Sequence, residues 1–304
     1  MAIQTKAIKQ KMTSIGNIKK ITKTMEMVSV SKMKRAVSLS VASREYARYA
    51  LELLVTLSKE RNIVDSLLIP GKGEKTLIVI VASNKGLCGG YNINISKAVS
   101  KYKKEHAEDG NIEAITIGKQ SEKIAKRNKI PIVASFNNFG ENIDLAQVKD
   151  LRKLVIKEFR ENQKYKNVLV VYTEFVKQLD YRPTIKEILP ISPKTTRNII
   201  ESIESGRETE RFDKKAMALY LFEPSEQRVL AKVLPNLLSA TFFQILLEAG
   251  ASEHSSRMVA MKNATDNAGD LLDDLKLTYN RARQASITQE VAEIIGGAEA
   301  LNTN

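Results

Sequence analysis

Residues 1–61 contain no proline and one glycine, Gly16, and their apolar side chains keep a helical rhythm. Ile8, Met12, Ile15, Ile18, Ile21, Met25 and Val28 follow one another at steps of three or four. That spacing lays a single stripe along an α-helix and, when sustained, makes a coiled-coil seam. The pattern runs on less regularly through Met33, Val37, Leu51, Leu54 and Leu57. A helix of about 55–60 residues is roughly 85 Å long, more than an ordinary globular domain needs. The other end of the chain matches it. Met258, Met261, Ala264, Ala268, Leu271, Leu275, Tyr279 and Ala282 repeat the spacing within a proline-free stretch, 236–298. Pro235 stands before that stretch, as its start or as a kink, because proline removes an internal hydrogen bond. Two such helices can pair antiparallel, each burying the other's stripe. A seam of alanine and methionine lets them approach closely but gains less from burial than leucine would.

The middle of the chain changes period. TLIVIVAS (76–83), IEAITIG (112–118), PIVASF (131–136) and VLVVYTE (168–174) are buried-strand patterns. Helical stretches at 94–106, 119–128 and 144–163 separate them. This alternation predicts an α/β domain, a Rossmann-like βαβ arrangement with a mainly parallel sheet. Gly71 and Gly73 stand where the chain enters it, and 190–210 is a polar exit linker. MALYLFEP (217–224) reads as a short strand. The expected organisation is an N-terminal coiled-coil helix over 1–70, a globular α/β domain over 71–210, and over 211–304 a short strand followed by the helix that pairs with 1–70.

Composition narrows the chemistry. The one cysteine, Cys88, excludes an internal disulfide and a cysteine-rich metal site. His106 and His254 have no further ligands at metal spacing. No apolar signal segment opens the chain, and apolar runs such as LIVIVA (77–82) are too short to span a bilayer. The net charge is +13, and residues 1–61 carry nine lysines and four arginines against four glutamates. Such a segment seeks acidic partners: nucleic acid, anionic lipid or an acidic protein surface.

Three features offer chemistry. The turn Lys85-Gly86-Leu87-Cys88-Gly89-Gly90-Tyr91 follows the first strand and precedes a helix, where a phosphate loop would sit. It matches neither common glycine-rich phosphate motif, and a tight connection needing positive φ is the favoured reading. Asp144, Glu158 and Glu174 show no acid–base spacing, and Ser83 and Cys88 have no histidine partner. Lys32, Lys34 and Arg35 could touch nucleic acid, but no DNA-reading or RNA-reading motif accompanies them. A nucleotide-binding enzyme and a basic coiled-coil scaffold therefore stand as alternatives. The third feature is a polar cluster near the C-terminus, Arg283 to Glu290, on a helix that should otherwise show a plain amphipathic face. It precedes a thin tip with Gly296, Gly297, Ala298 and Ala300.

Three segments carry a resemblance. SEHSSRMVAMKNATDNAGDLLDDLKLTYNRARQASITQEVAEIIGGAEAL (252–301), IGNIKKITKTMEMVSVSKMKRA (15–36) and NKGLCGGYN (84–92) resemble, in order and spacing, the gamma subunits of F-type ATP synthases. The resemblance implies a rotor that does no bond-making chemistry. Its end helices would thread a hexamer of alpha and beta subunits, and its globular domain would meet the epsilon subunit and the c-ring. It implies no cofactor, no metal and no nucleic acid. By motif match, Arg283, Gln284, Thr288 and Glu290 would contact a catch loop of beta, with Arg257 a second coupling point. Met25, Glu26 and Met27 would face the lever region of beta. Lys85, Gly86, Leu87, Cys88 and Gly89 would shape the globular domain near the lever loops. Leu189, Pro190, Ile191 and Pro193 would lie near the foot. The single cysteine departs from the chloroplast branch and its regulatory pair. With no transit peptide ahead of the first helix, the resemblance points to the bacterial branch and to the cytoplasmic side of the cell membrane, peripheral and not inserted. Gly16 costs its helix about 1 kcal/mol relative to alanine.

Overall fold

The computed structural model describes residues 2–57, 65–106, 111–137, 139, 143–161, 164–177, 180–191, 223 and 225–302. The elements are α1 (Ala2–Leu57), β1 (Lys75–Val81), α2 (Tyr91–His106), β2 (Ile112–Ile117), α3 (Lys119–Arg127), β3 (Ile132–Phe136), α4 (Leu145–Glu161), β4 (Tyr165–Lys177), β5 (Asp180–Leu189) and α5 (Glu226–Asn302). The chain divides into two compact units. One is Met1–Ser29 with Arg257–Asn304, and the other is Val30–Ser256.

The larger unit is built on a five-stranded sheet of order β3-β2-β1-β4-β5. The first three pairings, β1 with β2, β1 with β4 and β2 with β3, are parallel. The fourth, β4 with β5, is antiparallel. β1 lies in the middle and is covered on both faces, so its sequence is a continuous apolar run rather than an alternation. Leu77, Val79 and Val81 point into one core with Val148, Leu151 and Val155 of α4 and Leu230, Leu234, Leu237, Leu238 and Phe242 of α5. Ile78 and Ile80 point the other way, onto Ile95 and Val99 of α2 and Ile124 and Ala125 of α3. The expected α/β architecture holds.

Two expectations are corrected here. β5 is a strand that no apolar pattern announced. Its sequence, DYRPTIKEIL, holds four charged residues and Pro183. It is an edge strand, the position in a sheet where proline is tolerated because one side of the backbone needs no partner. The C-terminal helix does not begin at 236: it begins at Glu226 and takes Pro235 inside it. Proline's missing N–H leaves the Ala231 carbonyl, one turn back, without its usual helical donor; the bonds at this point fall instead on the Pro235 carbonyl. Ser239 Oγ donates to the Pro235 carbonyl at 3.2 Å, and a guanidinium nitrogen of Arg152 lies 3.2 Å from that hydroxyl oxygen and 3.4 Å from the carbonyl. The strand expected at 217–224 and most of the linker expected at 190–210 lie outside the described residues. One 18-residue window of α5 has a mean hydropathy of 1.5, apolar enough by composition to cross a membrane, but half of that window is buried inside the protein.

The smaller unit is a pair of helical segments. A buried hydrogen bond joins them: the Thr265 hydroxyl of α5 shares its proton between Thr22 Oγ1 and the carbonyl of Met261, both at 2.8 Å. Lys19, one turn back along α1, reaches a residue one turn forward along α5. Its ammonium would lie 2.9 Å from a Cβ on Gly269. Asp273 is held below the usual carboxylate range, chiefly by Lys276 and in smaller part by Lys19. Descending numbers on one helix thus meet ascending numbers on the other, and the pair is antiparallel.

Between Ile18 and Val28 of α1, the seam of this pair is not where the apolar residues are. In this unit the half-buried and buried positions of α1 are Thr5, Ile8, Met12, Ile15, Gly16, Thr22, Glu26 and Ser29, while Ile18, Ile21, Met25 and Val28 are exposed. Thr22 lies one heptad after Ile15, with Lys19 between them exposed, and Glu26 and Ser29 follow at steps of four and three, so the buried line keeps the heptad and the apolar stripe leaves it. On α5 the line runs through Met258, Met261, Thr265, Ala268, Leu272, Leu275, Tyr279 and Ala282. Leu271, expected inside, is exposed.

Candidate functional site

The displaced stripe makes the first candidate surface. Ile21 is 57% exposed and Met27 65% exposed. Ile18, Ile21, Met25 and Val28 form an apolar line on α1 that is exposed among the described residues, and Met27 stands on another side of the helix. Such a line on an otherwise polar helix marks contact with another molecule. Of the three residues expected at the lever region, Met25 and Met27 point outward. Glu26 sits on the seam, ion-paired with Lys23 at 3.1 Å.

The second surface is the last four turns of α5. Every described side chain from Ile287 to Ala298 is exposed. Arg283, Gln284, Thr288 and Glu290 are exposed too, so their polar groups are available on the outside of the helix. Ser286 Oγ donates to Glu290 Oε1 at 3.2 Å, and Gln289 Nε2 to Glu293 Oε1 at 2.9 Å. These i,i+4 bonds stiffen the helix surface. Val291, Ile294 and Ile295 stand among them, Ile294 71% exposed. Arg257 lies two turns before Thr265 and is half-buried.

The third is the turn after β1. Gly89 has φ 56° and Leu87 φ 60°, so the connection does need the left-handed region, and at Leu87 it takes it without a glycine. The turn is closed by its own side chains. Asn92 Nδ2 donates to Ser83 Oγ at 2.8 Å and to Cys88 Sγ at 3.1 Å, and the Tyr91 amide donates to the Cys88 carbonyl at 3.2 Å. Ser256 Oγ donates to the same carbonyl at 2.6 Å. Asn84 Oδ1 accepts the first amide of α3 at 3.1 Å. Cys88 is buried, whereas Lys85, Gly86 and Leu87 are exposed. Gly118, where β2 passes into α3, has φ 90°, and a Cβ there would meet the Ala82 carbonyl oxygen at 2.2 Å.

The remaining residues fall elsewhere. Leu189 and Ile191 are in the core beside Leu67, and the Ile191 amide donates to the Leu67 carbonyl at 2.7 Å. Pro190 is buried with them, so this segment offers backbone and shape rather than exposed side chains. Pro193 lies outside the described residues. His106 stacks on Tyr102 with ring centroids 4.6 Å apart. No group of three or more histidine, cysteine or acidic residues could hold a metal among the described residues. Of the basic run, Lys34 and Arg35 are exposed and Met33 is buried.

One cluster was missed from the sequence. Glu248 is 4% exposed, on the face of α5 turned to the sheet. Burial pushes its carboxyl above the usual range, the Glu174 charge adds to that, and Gln244, Lys186 and Tyr172 oppose it. Tyr172 OH donates to Glu248 Oε2 at 3.2 Å and Gln244 Nε2 to Oε1 at 2.9 Å. The signal was present: two polar residues four apart inside the apolar stretch FFQILLEAG.

Comparison with known proteins places the chain as a whole. A family model described as ATP synthase matches residues 4–301. The ATP synthase gamma chain of Desulfitobacterium hafniense is 35% identical over 296 residues, covering 97% of this chain and 98% of the relative. That of Leptospira biflexa is 36% identical over 298 residues, with the same coverage. The fold resembles a chain of the Euglena gracilis mitochondrial ATP synthase, solved with its OSCP, F1 and c-ring, at a TM-score of 0.68, 18% identity and coverage of 99% of this chain and 95% of that one. Matched by the family model from residue 4 to residue 301 and by relatives along 97% of its length, the chain belongs to the ATP synthase gamma-chain family.

Proposed function

We propose that this chain is the central-stalk rotor of an F-type ATP synthase and makes no bonds itself. It would couple ion-driven rotation of a c-ring to conformational change at catalytic beta subunits. The observation that carries this reading is the placement of Ile18, Ile21, Met25 and Val28 outside a helix pair whose inside is lined with Thr22 and Ser29. A helix pair that stood alone would put its apolar side chains in its own seam. One that turns inside a ring of other subunits needs them outside. Each beta subunit would have to gain a different interaction free energy from the face it meets, or rotation could not bias its state.

In this reading Arg283, Gln284, Thr288 and Glu290 grip the catch loop of beta, Arg257 is a second point of coupling, and Met25, Glu26 and Met27 face the lever region. Lys85, Gly86, Leu87, Cys88 and Gly89 set the turn near the lever loops. Leu189, Pro190, Ile191 and Pro193 shape the foot against epsilon and the c-ring. Residues 1–70 and 211–304 supply the shaft, and 71–210 the globular domain. The assembly would lie on the cytoplasmic side of a bacterial cell membrane with this chain peripheral to it. Exposed polar contacts suit a turning part, because a buried ion pair would hold one angle too strongly.

Co-expression with candidate alpha and beta subunits tests the reading: a stable hexamer-bound complex is expected, and a chain that never co-purifies with them refutes it. In the complex, Arg283→Ala with Gln284→Ala should lower coupled ATP turnover, while the isolated chain shows none. Normal turnover and torque in that double variant would remove the catch-loop assignment. Removing the last ten residues should have a milder effect, and loss of assembly after that cut would contradict it.

A further inference from the structure

Inside the larger unit, one polar network crosses from α1 through α5 to the sheet. Ser43 Oγ of α1 donates to Gln244 Oε1 at 2.7 Å. Gln244 Nε2 donates to Ser40 Oγ at 2.8 Å and to Glu248 Oε1 at 2.9 Å. Tyr172 of β4 donates to Glu248 Oε2 at 3.2 Å. Beyond it, Lys186 of β5 lies 5.4 Å above the Tyr172 ring and is paired with Glu174 at 2.8 Å. Both protons and the oxygen of the Gln244 amide are used, and both carboxylate oxygens of Glu248 accept. A network this complete is rigid, and leaving it half made is costly.

The α1 side of the network is written into the sequence at one place only. Sliding α1 by one heptad brings Met33 and Ala36, or Ala47 and Ala50, to the positions of Ser40 and Ser43. Neither pair has a hydroxyl. Either slip would leave the buried Gln244 amide without two of its three partners. Around this point the neighbours on α5 are apolar (Phe242, Ile245, Leu246) and would accept alanine or methionine opposite them.

We propose that Gln244 and Glu248 are positioning residues that hold α1 in one register against α5 and the sheet, and that this lock carries load between the helices and the globular unit. The second half rests on the rotor reading above; the first does not. Buried polar groups of this kind are best known for fixing register at no gain in stability.

The test uses the full-length chain with spin labels on Val41→Cys and Lys232→Cys, both exposed positions; Cys88 is 2% exposed and stays unlabelled. The parent should give one label distance. Gln244→Leu with Glu248→Leu should add a second population displaced by about 10 Å, the rise of one heptad, with an unchanged or raised melting midpoint. Ser40→Ala with Ser43→Ala, which empties the other side of the lock, should do the same. One unchanged distance in both variants overturns the lock. Glu248→Gln alone keeps an oxygen for the Gln244 amide and turns its own N–H toward the Tyr172 hydroxyl, which can accept, so it should keep one register. Two registers there would overturn the role given to hydrogen bonding. In the assembled complex, the leucine pair should lower the number of ions moved per ATP hydrolysed several-fold while hydrolysis continues. A parental ratio alongside two registers would overturn the load-bearing half and leave the register half standing.

Discussion

The two units of this chain use apolar side chains in opposite ways. Around the sheet, Leu77, Ile78, Val79 and Ile80 are fully buried in apolar cores. In the helix pair, Thr22, Ser29 and Thr265 are buried while Ile18, Ile21 and Leu271 are exposed. The first unit is held by area removed from water, at about 25 cal/mol per Å². The second forgoes much of that gain. Its buried hydroxyls are satisfied by the carbonyls of their own helices, as Ser29 Oγ is by Met25 at 2.7 Å, so they fill the seam without adding much cohesion. The difference teaches that the helix pair is completed by something outside the chain.

The largest effect that would test the contrast lies in the sheet unit. Phe242→Ala should cost about 3–5 kcal/mol in urea unfolding of the isolated chain; a loss below about 1 kcal/mol would mean that the core is far looser than its burial implies. Next is Gly118→Ala, which meets a carbonyl oxygen at a φ open mainly to glycine and should cost about 1–3 kcal/mol. In the helix pair, Thr265→Val should cost only about 1 kcal/mol, since one modest hydrogen bond is lost and the volume is kept; a cost as large as that of Phe242→Ala would erase the comparison. Glu248→Gln sharpens it through pH. The native carboxyl is raised above its unfolded value, so its favourable contribution is complete below the unfolded value, about 4.3, and is lost as pH rises through the folded one. The variant should therefore match the parent in acid and exceed it in unfolding midpoint at pH 8, and a gap constant with pH would count against this. The smallest expected change is Ile21→Ser, within about 0.5 kcal/mol on the isolated chain, yet it should weaken co-purification with alpha and beta subunits.

Where burial and apolarity coincide, the sequence announced the structure. β1 to β4 and α2 to α4 fall within a few residues of their expected places, because each pairs a clear period with a buried face. β5 escaped because an edge strand can carry Arg182, Pro183, Lys186 and Glu187 on a half-covered ribbon. The start of α5 escaped because the sequence left Pro235 either as a helix start or as a kink, and the structure places it inside the helix. The seam escaped for a different reason. Reading apolar side chains as inward is sound only when a chain is its own sole neighbour, and between Ile18 and Val28 that assumption fails. The buried Gln244–Glu248 pair was hidden by the same habit, since polar residues in an apolar stretch were passed over. The polar end of α5, by contrast, stood out in sequence because nothing in the chain's own packing called for it.

Leu87 is held at φ 60° with its side chain 64% exposed. A left-handed leucine forfeits about 1 kcal/mol or more against glycine, and no burial within this chain returns it. A directed-evolution campaign that rewarded only heat resistance of the isolated chain would therefore drift toward glycine at position 87. One that rewarded a working assembly would keep the bulky tip only if another subunit covers it there, and the divergence between the two outcomes would measure that cover.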